Sequence, residues 1–473
     1  MVTRAVLVAS VLCACSDEVV VSPVIEGPVD DNDASAFPEL DEIIMTVAHE
    51  GNERDLVSAS FSRGEQIAIT GAPFGDDLVI HMTGFRGASN VAYGRTCAFH
   101  VDAKNAPPTP HLFFSRSVKF ANLGVTPIDR LRGGAVSYLG TALILGGDAH
   151  GLDVSTVQRY DPLSGALVNV GEIDARNGAV HALVGASPPR VVVIGGQVGG
   201  VGAAYLELVD PTRRVERVDD LQAPIPRIGL TATSLTDGRV IVVGGNVPGG
   251  PPVGVISELA LGTGVDVRTL RAVLAHPRTG HTATRLGDDL GAPVLVAGGL
   301  DAIGQPVSIA ELFKPLAEEL ADPLKFAPRM LIPRSRHQAV RMPDGSVLIV
   351  GGVDAGGTPI TTLERFTLDA GFVSAGDMPE TAGITDSTVT QLADGRILIT
   401  GGRTTTNTIT NTAFIVRLDP LDDSVDIVPT DRLAVPRANH QAARLCDGTI
   451  LITGGTAGRA VAERYNPSPA GRR

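Results

Sequence analysis

Short runs of β-branched residues and leucine, each closed by two glycines, punctuate the last three quarters of this 473-residue chain. The clearest are Val240-Ile241-Val242-Val243, Val347-Leu348-Ile349-Val350, Ile397-Leu398-Ile399-Thr400 and Ile450-Leu451-Ile452-Thr453. Unbroken apolarity over so short a run predicts a strand covered on both faces, not one with a wet side. Asp-Gly precedes each of these runs (Asp237-Gly238, Asp344-Gly345, Asp394-Gly395, Asp447-Gly448). It is the two-residue hairpin signal, because a type I′ turn needs positive φ at both positions. The closing pairs are Gly146-Gly147, Gly195-Gly196, Gly244-Gly245, Gly298-Gly299, Gly351-Gly352, Gly401-Gly402 and Gly454-Gly455, spaced 49, 49, 54, 53, 50 and 53 residues. A fixed period of about 50 residues predicts a radial array of small sheets.

A third strand follows six of the pairs in Gln158-Arg159-Tyr160-Asp161-Pro162, Glu207-Leu208-Val209-Asp210-Pro211, Glu311-Leu312-Phe313, Glu364-Arg365-Phe366, Val416-Arg417-Leu418-Asp419-Pro420 and Glu463-Arg464-Tyr465-Asn466-Pro467. Outer strands end in apolar units such as Val168 to Ile173 and Phe372 to Met378, and a Pro-Arg-x-x-His step opens the next unit. Apolar strand, Gly-Gly, Glu-x-Tyr/Phe-Asp-Pro, outer strand and Pro-Arg together resemble the kelch repeat over about residues 112–467. The resemblance implies an all-β fold, a seven-bladed kelch-type β-propeller. The family usually places Trp in the outer strand; this chain has none, and Val, Leu or Phe stand there instead. Only six residues follow Pro467, so the last unit lacks an outer strand. The orphan run Ser117 to Leu123 lies upstream of the first unit, and residues 112–123 are expected to supply the missing strand and remove the open edges.

Residues 38–106 lack the period. They alternate strand-like runs (Ile43 to Val47, Gln66 to Ile69, Leu78 to Met82, Thr96 to Val101) with turn residues, which predicts a small β-sandwich of immunoglobulin-like type before the propeller. The Pro-rich stretch 107–111 reads as a linker and 468–473 as a tail. At the other end, Arg4 and the apolar Ala5 to Leu12 mark 1–14 as a signal peptide too short to span a bilayer. Leu12-Cys13-Ala14-Cys15-Ser16 resembles a bacterial lipobox, which implies cleavage before Cys15 and its lipidation; a plain secretory signal is the alternative. Acidic, small and Pro residues over 15–37 predict a disordered tether. The expected location is the envelope of a Gram-negative-type bacterium, with attachment through lipid alone. Cys97 and Cys446 either pair there or stay as buried thiols, and spacing leaves both open.

Composition narrows the function without naming it. A net charge of −13 argues against nucleic acid, whose phosphates need a basic face. No cofactor or metal is expected: Tyr, His and Cys do not converge as copper chemistry needs, and no Gly-x-Ser-x-Gly or His-Glu-x-x-His occurs. Asp148, Asp301 and Asp354 follow the glycine pairs singly, as turn formers do, whereas Ca²⁺ needs several oxygen donors. The strongest constellation is an arginine opening the innermost strand, at Arg130, Arg176, Arg227, Arg278, Arg334 and Arg437, missing only in the fifth unit. His181, His281, His337 and His440 lie nearby. One reading makes them an anion-attracting ring at a channel mouth, suited to carboxylates, sialic-acid-like sugars or an acidic peptide. The other has the arginines bridging units through backbone carbonyls, since a residue repeated in every unit serves the repeat first. The Thr/Asn loop from Arg403 to Thr412 is the most unusual connection. The expected function is that of a monomeric, non-enzymatic protein- or glycan-binding scaffold. The alternative is a periplasmic carbohydrate enzyme, sialate-epimerase-like, working through the Arg and His of the mouth.

Overall fold

The computed structural model describes residues 19–28, 37–50, 52–62, 64–102, 104–106, 108–185, 187–210, 214–262, 264–322, 326–419, 424–455 and 461–467. The expected signal peptide (1–14), Cys15 and the expected tail (468–473) lie outside the described residues. Among those described there is no α-helix, and the chain is a succession of antiparallel sheets.

Each Gly-Gly unit is one sheet with a four-strand path. The fifth, for example, runs Gln338–Arg341, Val347–Val350, Thr362–Thr367, Gly371–Asp377 in spatial order. The second strand is buried on both faces, as its unbroken apolarity requires: Val347, Leu348, Ile349 and Val350 are all inaccessible. The innermost strands lie each against the next, and the last, Gln441–Arg444, returns to the first, Gly134–Tyr138. This all-β ring of four-strand sheets fits a propeller.

The double glycine joins neighbouring sheets. The amide of the second glycine donates to the carbonyl of the residue opening the next unit: Gly245 to Arg278 at 2.9 Å, Gly299 to Arg334 at 3.0 Å, and Gly455 to Arg130 at 3.0 Å, which links the last sheet to the first. At Gly244 (φ 60°) a Cβ would stand 2.7 Å from the Arg278 carbonyl oxygen, so a side chain is barred by both conformation and space.

The last sheet takes its outer strand from far upstream: Lys119–Asn122 pairs antiparallel with Glu463–Asn466. Of the segment 112–123 only these residues do so. His111–Phe113 pairs in parallel with Val24–Glu26, and Ser115–Arg116 pairs with Ala92 and Tyr93. The stretch expected to be an unstructured tether is therefore partly strand, because Val21 finds a fully buried place beside Ile69 and Leu112. Residues 42–101 build one six-stranded sheet together with Ser115–Arg116, flanked by the short strand pairs just named.

Several contacts fasten this sheet to the ring. Cys97 and Cys446 are disulfide-bonded, with Cα atoms 4.9 Å apart. Arg95 donates to the Cys446 carbonyl at 2.8 Å, and the Asn466 amide donates to the Tyr93 and Ser115 carbonyls at 2.7 and 3.1 Å. The fully buried Arg464 is paired with Asp447 and stacked 4.1 Å from the Phe113 ring centre.

Candidate functional site

The repeated arginines do not face a channel. Arg130, Arg176, Arg278, Arg334 and Arg437 are at most 2% exposed and Arg227 is 5% exposed. Each guanidinium donates to the carbonyl of the first glycine of its own unit: Arg130 to Gly146 at 3.1 Å, Arg176 to Gly195 at 3.1 Å, Arg278 to Gly298 at 3.2 Å, Arg334 to Gly351 at 3.0 Å, Arg437 to Gly454 at 2.9 Å and Arg227 to Gly244 at 2.5 Å. Four also form ion pairs with a glutamate of the third strand: Arg176 with Glu207 at 2.5 Å, Arg278 with Glu311 at 2.8 Å, Arg334 with Glu364 at 2.6 Å and Arg437 with Glu463 at 2.6 Å. A neutral group fills that place in two units, Gln158 beside Arg130 and Ser257 beside Arg227. There burial alone pulls the guanidinium down to about 10. A ligand at the ring mouth meets none of these six side chains, because all are enclosed by their own sheet.

The unit without the arginine is the sixth, not the fifth. Ile384 stands at its register, and Phe414, opposite Ile399, stands where Glu364 lies opposite Ile349 in the fifth. Both members of the ion pair are replaced together by apolar residues, which pack in one cluster. This break in the repeat is thus a structural substitution, a buried pair exchanged for hydrophobic contact.

The histidines tie adjacent innermost strands. Nε2 of His281 hydrogen-bonds Thr231 at 3.1 Å, that of His337 bonds Thr282 at 2.9 Å, and that of His440 bonds Thr388 at 3.0 Å and Thr400 at 2.9 Å. Burial, reinforced by the neighbouring arginines, lowers each of these and His181 to about 3, so all four are neutral near pH 7.

What remains for a ligand lies two residues beyond the arginine register. Arg132, Gly178, Gly229, Gly280, Arg336, Asp386 and Asn439 occupy this position, and every one is left-handed, with φ between 54° and 73°. Their backbones are linked around the ring: Arg132 N–H donates to Asn439 O at 2.9 Å, Asn439 N–H to Asp386 O at 2.8 Å and Gly280 N–H to Gly229 O at 2.8 Å. Glycine meets the conformation without strain in three units, whereas four keep a side chain there. These four, with Gln338, Ser387, Thr390 and Gln441, line a polar cavity of about 440 Å³. Arg336 pairs with Asp386 at 2.9 Å, Arg403 reaches the other carboxylate oxygen at 3.3 Å, and Arg132 pairs with Asp148 at 2.8 Å. The Arg132 and Arg336 side chains are exposed, so their remaining N–H groups face the cavity's solvent. The set carries three guanidiniums against two carboxylates, a cationic spot on an acidic protein. None of Arg132, Arg336, Asp386 and Asn439 was marked by sequence reading, although glycine at the same register in three units was the available sign.

The remaining candidates are turn formers. Asp301 accepts the amides of Ile303 and Gln305, and Asp354 those of Gly356 and Thr358, through one oxygen each. In the loop from Arg403 to Thr412, Thr404 and Thr406 bond each other at 3.0 Å, and Arg403 pairs with Asp386 of the mouth. Among the described residues no group of three or more His, Cys, Asp or Glu is placed to hold a metal ion.

Fold and site together define a propeller-like all-β protein with a polar, arginine-bearing mouth. No protein-family model matches the chain, and no curated protein matches it. Among solved structures it is similar to one described as "Structure of YjhT", at 12% sequence identity and a TM-score of 0.49, over 64% of this chain and 99% of that one.

Proposed function

We propose that this is a lipid-anchored cell-envelope protein whose seven-bladed, kelch-type propeller holds an acidic ligand at the ring mouth without transforming it. The observation that carries this reading is the retention of Arg132, Arg336, Asp386 and Asn439 in left-handed backbone where three other units use glycine. Asparagine and aspartate take this conformation readily, but for Arg132 and Arg336 it costs about 1–2 kcal/mol each, which glycine would avoid. Two exposed guanidiniums and an amide in a concave polar site suit a carboxylate, on a glycan or on a protein. Binding is favoured over the sialate-epimerase-like alternative by the state of the proton-transfer candidates. His337 and His440 are neutral with Nε2 committed to threonine, and Asp386 is held by two arginines. The envelope location rests on the lipobox-like Leu12 to Ser16 and on the Cys97–Cys446 bridge, since disulfides persist in oxidising compartments.

The test is a screen of acidic and neutral glycans and envelope-protein peptides against protein beginning after Cys15, with Arg132→Gly/Arg336→Gly as control. Loss of two charge-assisted contacts should weaken the bound ligand by roughly 100-fold. Equal binding by the glycine variant would remove the mouth from the mechanism.

A further inference from the structure

The first sheet is fastened to the ring on the face opposite the mouth. The innermost strand Gln441–Arg444 begins beside Asn439 at the mouth, and its other end leads through Leu445 to Cys446, the residue bonded to Cys97. Within the first sheet the strands lie in the order Ser115–Arg116, Ser89–Arg95, Gly75–Arg86, Glu42–His49, Asn52–Ser62. The ring holds the first edge, where Asn466 donates to Ser115 and Tyr93. The far edge, Asn52–Ser62, is four strand spacings away, about 19 Å.

The described chain starts at that far edge. Val20–Val21 pairs with Ile69–Thr70, which lies against Asn52–Ser62. Ala72 N–H donates to Val19 O at 3.2 Å, and Phe74 follows two residues on, within about 7 Å of Ala72. Phe74 is 56% exposed and Val20 43%. Of the aromatic side chains among the described residues only Phe37 is also exposed, and it stacks on Phe114 with ring centres 5.0 Å apart. No ionisable side chain occurs in 19–25 or in 66–75, on a chain that carries −13.

We infer that Phe74 and Val20 rest in the surface of the membrane that holds the lipid at Cys15, and that the ring mouth faces away from it. The inference rests on the lipid anchoring proposed above. Only Ser16, Asp17 and Glu18 separate Cys15 from Val19, so the two Cα atoms are at most about 14 Å apart even at full extension. An anchor that short holds Val20 and Phe74 at the lipid headgroups, where an exposed aromatic ring gains by immersion. The uncharged spot also escapes the repulsion that anionic phospholipids exert on the rest of an acidic surface. Attachment is then through lipid and protein together, and the first sheet is a spacer that carries the mouth outward to its ligand.

The chain has no tryptophan, so a single one introduced reports its own depth. Full-length protein expressed in a Gram-negative bacterium is reconstituted in phosphatidylethanolamine–phosphatidylglycerol vesicles, with or without brominated acyl chains, and the mass of its N-terminal peptide reads acylation of Cys15. Phe74→Trp should emit at shorter wavelength in vesicles than in detergent-free buffer after protease release, and lose most of its emission to brominated lipid. Val20→Trp gives the same readout from the neighbouring strand. Ile303→Trp, 80% exposed on the loop that Leu300 ties to Thr279 beside Gly280 of the mouth register, should keep its emission. If Phe74→Trp and Val20→Trp are unquenched on acylated protein, the inference falls while the anchoring stands. Quenching of Ile303→Trp as strong as that of Phe74→Trp would overturn the outward mouth. A Cys15 without acyl chains would remove the proposed anchor, and this inference with it.

Discussion

Replacing Glu364 by Ala should destabilise the ring by about 3–5 kcal/mol, the range for leaving one partner of a buried ion pair uncompensated. Arg334 and Glu364 are both wholly inaccessible and 2.6 Å apart. The carboxylate also accepts the amides of Leu331 at 2.8 Å and Ile332 at 3.0 Å, so its loss orphans two donors as well as a cation. The guanidinium keeps only the Gly351 and Thr362 carbonyls, at 3.0 and 2.9 Å, and the Ile332 carbonyl at 3.3 Å. The sixth unit shows the compensated alternative, Ile384 with Phe414. Arg334→Ile/Glu364→Phe removes both charges at once and should fall within about 2 kcal/mol of wild type, with a coupling energy of about 2 kcal/mol or more between the two sites. Denaturant unfolding of the single and double variants, followed by circular dichroism, reads all terms. A Glu364→Ala loss below about 1 kcal/mol, or a double variant as weak as the sum of the singles, would refute the claim that these pairs hold the sheets.

Two further outcomes follow from buried chemistry elsewhere. Burial holds His181, His281, His337 and His440 at about 3 against an ordinary 6.5, so between these values the unfolded chain binds more protons than the folded one. Their contribution is complete above about pH 6.5 and is lost as pH falls, by up to about 1.4 kcal/mol per pH unit for each histidine, so melting temperature should drop from pH 7.5 to 4.5; a flat profile would contradict it. Reducing Cys97–Cys446, or Cys97→Ser, should lower stability by about 2–4 kcal/mol; an unchanged unfolding midpoint would mean that the hydrogen bonds of Arg95 and Asn466 suffice to fasten the first sheet.

The parts legible from sequence were those with local causes. The second strands showed as apolar runs between Asp-Gly and Gly-Gly, and a closing strand was expected from 112–123, of which Lys119–Asn122 pairs with the last unit. The arginine–glutamate pairs were not legible. Arg334 and Glu364 lie 30 residues apart, and only the pairing of Ile349 with Glu364 aligns them. Likewise the gap in the arginine series, expected in the fifth unit, falls in the sixth, and its reason shows only when Phe414 is seen opposite Ile399. Acidic residues hid the strand character of Val20–Val21 and Val24–Glu26, whose partners sit far away at Ile69–Thr70 and His111–Phe113. The mouth escaped notice because left-handed conformation shows in sequence as glycine, asparagine or aspartate, and Arg132 and Arg336 carry no such mark.

The ring consumes its own repeated chemistry. Arginine, glutamate and histidine recur because each joins strands or sheets, and once joined they are buried and unable to meet a ligand. Residues that fail to repeat follow the opposite logic. At the left-handed register the backbone demand is the same in every unit, so the difference between Gly229 and Arg336 lies in what the side chain reaches, here Asp386 of the neighbouring unit. In the sixth unit Asp386 stands at this register, and its carboxylate pairs with Arg336 of the fifth unit and with Arg403 at the mouth.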